Sequence, residues 1–134
     1  MQPTINKPLF WIPRVLSLMF VAFLMLFSLD VFEPGRSAGE VALGLLIHNI
    51  PALVLLALTV VAWKRELVGA VTFFAAGLLY IALVFRGEVP WYLALSWSMI
   101  LVGPAWGIAT LYLVGWRTKR RSVAPTSATG DVRT

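Results

Sequence analysis

Residues 67–85 read LVGAVTFFAAGLLYIALVF, nineteen residues without a charge, held between Lys64-Arg65-Glu66 and Arg86-Gly87-Glu88. A helix that crosses a bilayer needs about 20 predominantly apolar residues, so this stretch predicts a spanning helix. Upstream, the apolar sequence resumes at once, because Lys64-Arg65-Glu66 contains no helix breaker. An unbroken helix over 38–85 would hold 48 residues. Its length would be about 72 Å at helical rise, more than twice the hydrocarbon thickness. A tight hairpin must therefore fall at 64–66.

Working outward, three further stretches qualify, so spans are expected at 12–32, 41–63, 67–85 and 89–116. Composition agrees: 60% of the 134 residues are hydrophobic and 13% charged, against roughly 45–50% and about 25% in soluble domains. The expected fold is all-α, an integral membrane four-helix bundle. Pro13 and Pro90 suit the first turn of a helix. Ser37-Ala38-Gly39-Glu40 reads as a capping box, and Phe85-Arg86-Gly87-Glu88-Val89-Pro90 as a turn. The last span exceeds the bilayer requirement and contains Pro104, which predicts a tilt, a kink or emergence at one end. Lys7 and Arg14 ahead of an apolar run resemble a secretory signal, but Arg36 stands where cleavage wants a small residue, so the first span is expected to stay.

Orientation follows from the count of Lys and Arg in short flanks. Lys7, Arg14, Lys64, Arg65, Arg117, Lys119, Arg120, Arg121 and Arg133 fall on one side, and only Arg36 and Arg86 on the other. Both termini are expected to be cytoplasmic. Trp11, Trp63 and Trp116 then mark the inner boundary and Trp91 with Tyr92 the outer one, as amphipathic rings prefer. Residues 117–134 begin basic and run into a polar, small-residue tract that cannot bury a face, so this cytoplasmic tail is expected to be disordered. Arg117, Lys119, Arg120 and Arg121 anchor the topology and can attract anionic lipid. The excess of base, +5 overall, is thereby assigned to the membrane and not to nucleic acid.

Chemistry is sparse. Cysteine is absent and one His is present, which removes disulfides, thiol catalysis and Cys-ligated metal, and leaves no usual zinc or haem set. No nucleophile–base pair, phosphate loop or nucleotide motif is present, so no catalytic residue, metal or cofactor is expected. Polar groups inside a membrane are expensive and normally face a partner or water. Asp30, Glu40, His48, Asn49, Tyr80 and Ser98 fall toward the outer half, where Pro51 frees a carbonyl beside His48. They form the candidate polar cluster, with Asp30 the first candidate to hold His48. Small residues let helix backbones approach. Ser96, Gly103, Gly107 and Thr110 line one face of the last span, and Gly69 and Gly77 one face of the third, so both sets are expected at contacts within the bundle.

Several of these elements recur together in a known pattern: Trp11-Ile12-Pro13-Arg14, Leu29-Asp30-Val31-Phe32, His48-Asn49-Ile50-Pro51, Ala62-Trp63-Lys64, Gly69, Tyr80, and Gly103-Pro104 ahead of Trp116. In their order and spacing over about residues 9–117 the chain resembles a family of small, uncharacterised bacterial four-span membrane proteins, defined only as a domain of unknown function. The resemblance implies a four-helix membrane protein and no established activity. The expected role is a non-enzymatic, structural or accessory protein of the inner membrane, acting with a membrane-protein partner or a second copy. The alternative is a small oligomeric carrier or proton-linked transporter using the outer polar site. A carrier wants ionisable groups and broken helices meeting at the midplane, and the placement of these residues favours the accessory role.

Overall fold

The structure, a computed structural model, describes residues 7–123. Four helices follow one another: α1 (Lys7–Leu26), α2 (Ala38–Ala62), α3 (Glu66–Arg86) and α4 (Trp91–Val123), with a 3-10 helix over Phe27–Val31 continuing α1. Each of the four is long and apolar enough to cross a membrane. They pack as an up-and-down bundle in which α1 touches α2 and α4, α2 touches α3, and α3 packs most extensively on α4.

Local signals explain the boundaries. Ser37 and Glu40 form the capping box at the start of α2, with the Ser37 amide donating to Glu40 Oε2 at 2.8 Å. The hairpin between α2 and α3 spans only Trp63, Lys64 and Arg65, and Trp63 still donates to the Thr59 carbonyl. Pro90 stands just ahead of α4, its carbonyl accepting from Leu93 and Ala94.

Two boundaries differ from expectation. Pro13 lies inside α1, six residues beyond its start, and is buried. The proline of the first turn is Pro8, whose missing N–H forfeits no bond there. An internal proline forfeits an i→i−4 bond, and buried polar side chains flank it here. At the other end, α4 continues to Val123, so Arg117, Lys119, Arg120 and Arg121 are helical where a disordered tail was expected. Good helix formers and basic residues beside the negative end of the helix dipole favour that continuation. Residues 124–134 lie outside the described part.

The core is thin. Phe20 and Val21 of α1, Ala52 and Leu55 of α2, Ala70 and Phe73 of α3, and Ala105, Ile108 and Tyr112 of α4 form it. Phe20 meets Phe73 edge-on across the bundle, with ring centroids 6.0 Å apart. Every helix also turns large apolar side chains outward, including Met19, Leu46, Leu79 and Met99. An exterior this apolar far exceeds the patches a soluble monomer tolerates. It is the surface that hydrocarbon solvates.

Glycines set the closest approach. A Cβ on Gly69 would lie 2.8 Å from the Tyr112 ring, and one on Gly77 would strike the Trp106 indole. Trp106 also stacks on Phe74 and donates to its carbonyl at 3.3 Å. Gly69 and Gly77 thus admit two large rings of α4 onto α3. Gly103 and Gly107 do the opposite: both are exposed, and a Cβ at either would meet nothing within 4 Å. Ser96 and Thr110 are exposed too, their hydroxyls donating to the carbonyls of Tyr92 and Trp106 one turn back. The expectation that these four line a contact within the bundle is corrected. Large side chains at Tyr112 and Trp106, on other faces of α4, take the α3 contact instead.

Candidate functional site

Arg14 on α1 and Glu66 at the start of α3 both lie in buried positions, 0% and 6% exposed. Charges removed from water need geometry and hydrogen bonds to offset desolvation, and the surroundings supply them. Arg14 Nη2 donates to the Trp63 carbonyl at 2.8 Å and to Glu66 Oε1 at 3.4 Å. Its Nη1 donates to the Phe10 carbonyl, one turn earlier on α1. The guanidinium carbon lies 3.5 Å from the centroid of the Phe10 ring, a cation–π contact that strengthens when desolvated.

Glu66 is shared between two cations. Lys119 of α4 places Nζ 2.8 Å from Glu66 Oε1 while remaining half-exposed. Gly115, one turn before Lys119, leaves the space that the carboxylate fills: a Cβ there would lie 3.2 Å from Oε2. One centre therefore joins α1, the carbonyl end of α2, the first residue of α3 and the late part of α4. Arg14 Nε and Glu66 Oε2 are buried without a hydrogen-bond partner. Deeper in the bundle, the Ser17 and Tyr112 hydroxyls are hydrogen-bonded at 3.1 Å, and Ser17 donates to the Pro13 carbonyl at 2.6 Å. Tyr112, fully buried, stacks on Phe73 with centroids 6.3 Å apart. Trp11 and Trp63 meet edge-on beside the ionic centre.

Chemically this arrangement holds charge in place. Both cations meet the same carboxylate oxygen, Oε1 of Glu66.

The outer residues are not brought together. Among the described residues no hydrogen bond or salt bridge joins any two of Asp30, Glu40, His48, Asn49, Tyr80 and Ser98. Glu40 is used in its own capping box. Asn49 donates to the Leu45 carbonyl at 2.9 Å, the nearest acceptor on its helix. Asp30, on the 3-10 helix, and His48 are both exposed, and the expected pairing between them is corrected. The 3-10 helix packs against α2 through Val31, which meets Gly44, while Asp30 beside it is exposed. Tyr80 is half-buried, and Ser98 is buried with its hydroxyl unpartnered.

Sequence alone gives Arg14 a place in the orientation count and in the Trp11–Arg14 element, and Glu66 a place in the hairpin, with no link between the two. A signal existed: Glu66 is the sole acid in the described segments at the basic end. A lone acid among bases is the natural counter-ion for whichever base is buried. Only the helix order says which base that is.

The match to a known family covers every helix of this site. The profile of the family described as Domain of unknown function (DUF7670) matches residues 1–124. No curated protein and no solved structure matches the chain. With the match running from before α1 to just past the end of α4, the chain belongs to the DUF7670 family.

Proposed function

We propose that the protein is a non-enzymatic, multi-pass component of a bacterial inner membrane, with its basic end and both termini in the cytoplasm, acting as a structural or accessory partner of another membrane protein. The observation that carries this reading is the Arg14–Glu66–Lys119 centre. Its charges bind one another and backbone carbonyls across the helices, which stiffens one end of the bundle. A carrier would need ionisable groups meeting near the midplane beside broken helices. Here Asp30 and His48 stay apart and the convergent charges sit at the end of the bundle.

Crosslinking in native membranes followed by purification in mild detergent tests the reading. A stoichiometric membrane-protein partner that remains bound, with no solute or proton flux in proteoliposomes of the purified chain, is the expected result. Flux abolished by Glu66→Gln would overturn it.

A further inference from the structure

The α3–α4 groove and the basic end of α4 share one stripe of the helix. The groove, of ≈ 430 Å³, is walled by Leu67, Val71 and Phe74 on α3 and by Trp106, Ala109 and Leu113 on α4. Trp106, Ala109, Leu113, Trp116 and Arg120 step by 3, 4, 3 and 4 along α4, the spacing that keeps residues on one face. The stripe runs into a second depression, lined by Trp116, Lys119, Arg120 and Val123. There the Arg120 guanidinium carbon lies 4.6 Å from the Trp116 ring centroid. Lys119 is committed to Glu66, whereas among the described residues no acid pairs with Arg120.

The dimensions select an occupant. Trp106 to Arg120 is 14 residues, about 21 Å at helical rise and so half of the roughly 40–45 Å that two leaflets span with their headgroups. The stripe is thus as long as one lipid, apolar over its inner length and cationic with an aromatic ring at its end. A second parallel copy fits poorly, because it would set its own basic end at the same level. We infer that this stripe binds one anionic phospholipid, an acyl chain lying in the α3–α4 groove and the phosphate against Arg120. The inference rests on the membrane-spanning reading.

The test is native mass spectrometry of lipid retained by the full chain after reconstitution in phosphatidylcholine nanodiscs doped with phosphatidylglycerol. One phosphatidylglycerol per chain should be retained in preference to phosphatidylcholine. Arg120→Gln should weaken retention ~5-fold, the equivalent of about 1 kcal/mol per basic group at the surface. Arg121→Gln removes the same charge one position away, about 100° around the helix from Arg120, and should leave retention unchanged. Val71→Trp changes no charge and fills the groove from an exposed position, so it should weaken retention as Arg120→Gln does. Equal losses for Arg120→Gln and Arg121→Gln, or no loss for Val71→Trp, would mean diffuse attraction to a basic surface and would overturn the site. Alkaline extraction of native membranes separates the two failures: release of the wild-type chain removes the membrane reading itself, while firm retention with equal Arg120 and Arg121 responses removes the lipid site alone.

Discussion

Neutralising Glu66 should destabilise the bundle more than its position at a helix start suggests. In Glu66→Gln the shape is kept, but Arg14, 0% exposed, loses its counter-ion and cannot reach water. Breaking a buried pair by removing one partner typically costs about 3–5 kcal/mol. The lower end applies here, since the Trp63 and Phe10 carbonyls and the Phe10 ring still hold the guanidinium. Arg14→Met strands less charge, because Lys119 remains 2.8 Å from the carboxylate, but it also forfeits the bond to Trp63 that ties α1 to α2. A loss of about 2–3 kcal/mol is expected from that hydrogen bond and the broken pair. Lys119 is half-exposed, so Lys119→Met should cost no more than about 1 kcal/mol. The Arg14→Met/Glu66→Gln double variant should fall short of the sum by about 1–3 kcal/mol, the coupling of groups in direct contact. Equilibrium unfolding in mixed micelles, with the four variants compared against the wild type, measures all of these. Strict additivity, or a Lys119→Met loss as large as that of Glu66→Gln, would refute the view that Arg14 and Glu66 form the centre of the site.

Other consequences are simpler to read. Gly69→Leu would drive a side chain into the Tyr112 ring and should cost at least about 1–3 kcal/mol by overpacking, whereas Gly107→Leu, with open space at its Cβ, should change monomer stability by less than about 0.5 kcal/mol; thermal unfolding of the two variants distinguishes these outcomes. Asp30→Asn and His48→Gln should be additive in the same assay, as two exposed residues without a shared bond, and a coupling beyond about 0.5 kcal/mol would show that they meet. A reporter fused after Thr134 should be active only in the cytoplasm and one inserted at Gly35 only outside, so inverse activity at either position would reverse the orientation.

The helix count was written in local sequence, because a bilayer demands runs of about 20 apolar residues, and the need for a hairpin near Lys64-Arg65 follows from length alone, although the turn falls at Trp63–Arg65 with Glu66 already in α3. The capping box was equally legible: Ser37 and Glu40 satisfy backbone groups within three residues of themselves, and nothing distant can compete. Tertiary structure decided everything that depends on which helix faces which. Gly103 and Gly107 have the spacing of a contact, yet α4 turns Tyr112 and Trp106 toward Gly69 and Gly77 and leaves the other pair outward. Spacing along one helix defines a face without naming its neighbour. The polar residues divide in the same way. Depth from a helix end placed Asp30 and His48 within reach of each other, but in the folded chain both are exposed and no bond joins them. Arg14, Glu66 and Lys119 are 52 and 53 residues apart along the chain, and only the closing of the bundle brings their side chains together. The hydrophobic pattern selects helices through short-range solvation, whereas an ion pair between helices exists only after packing has chosen its partners.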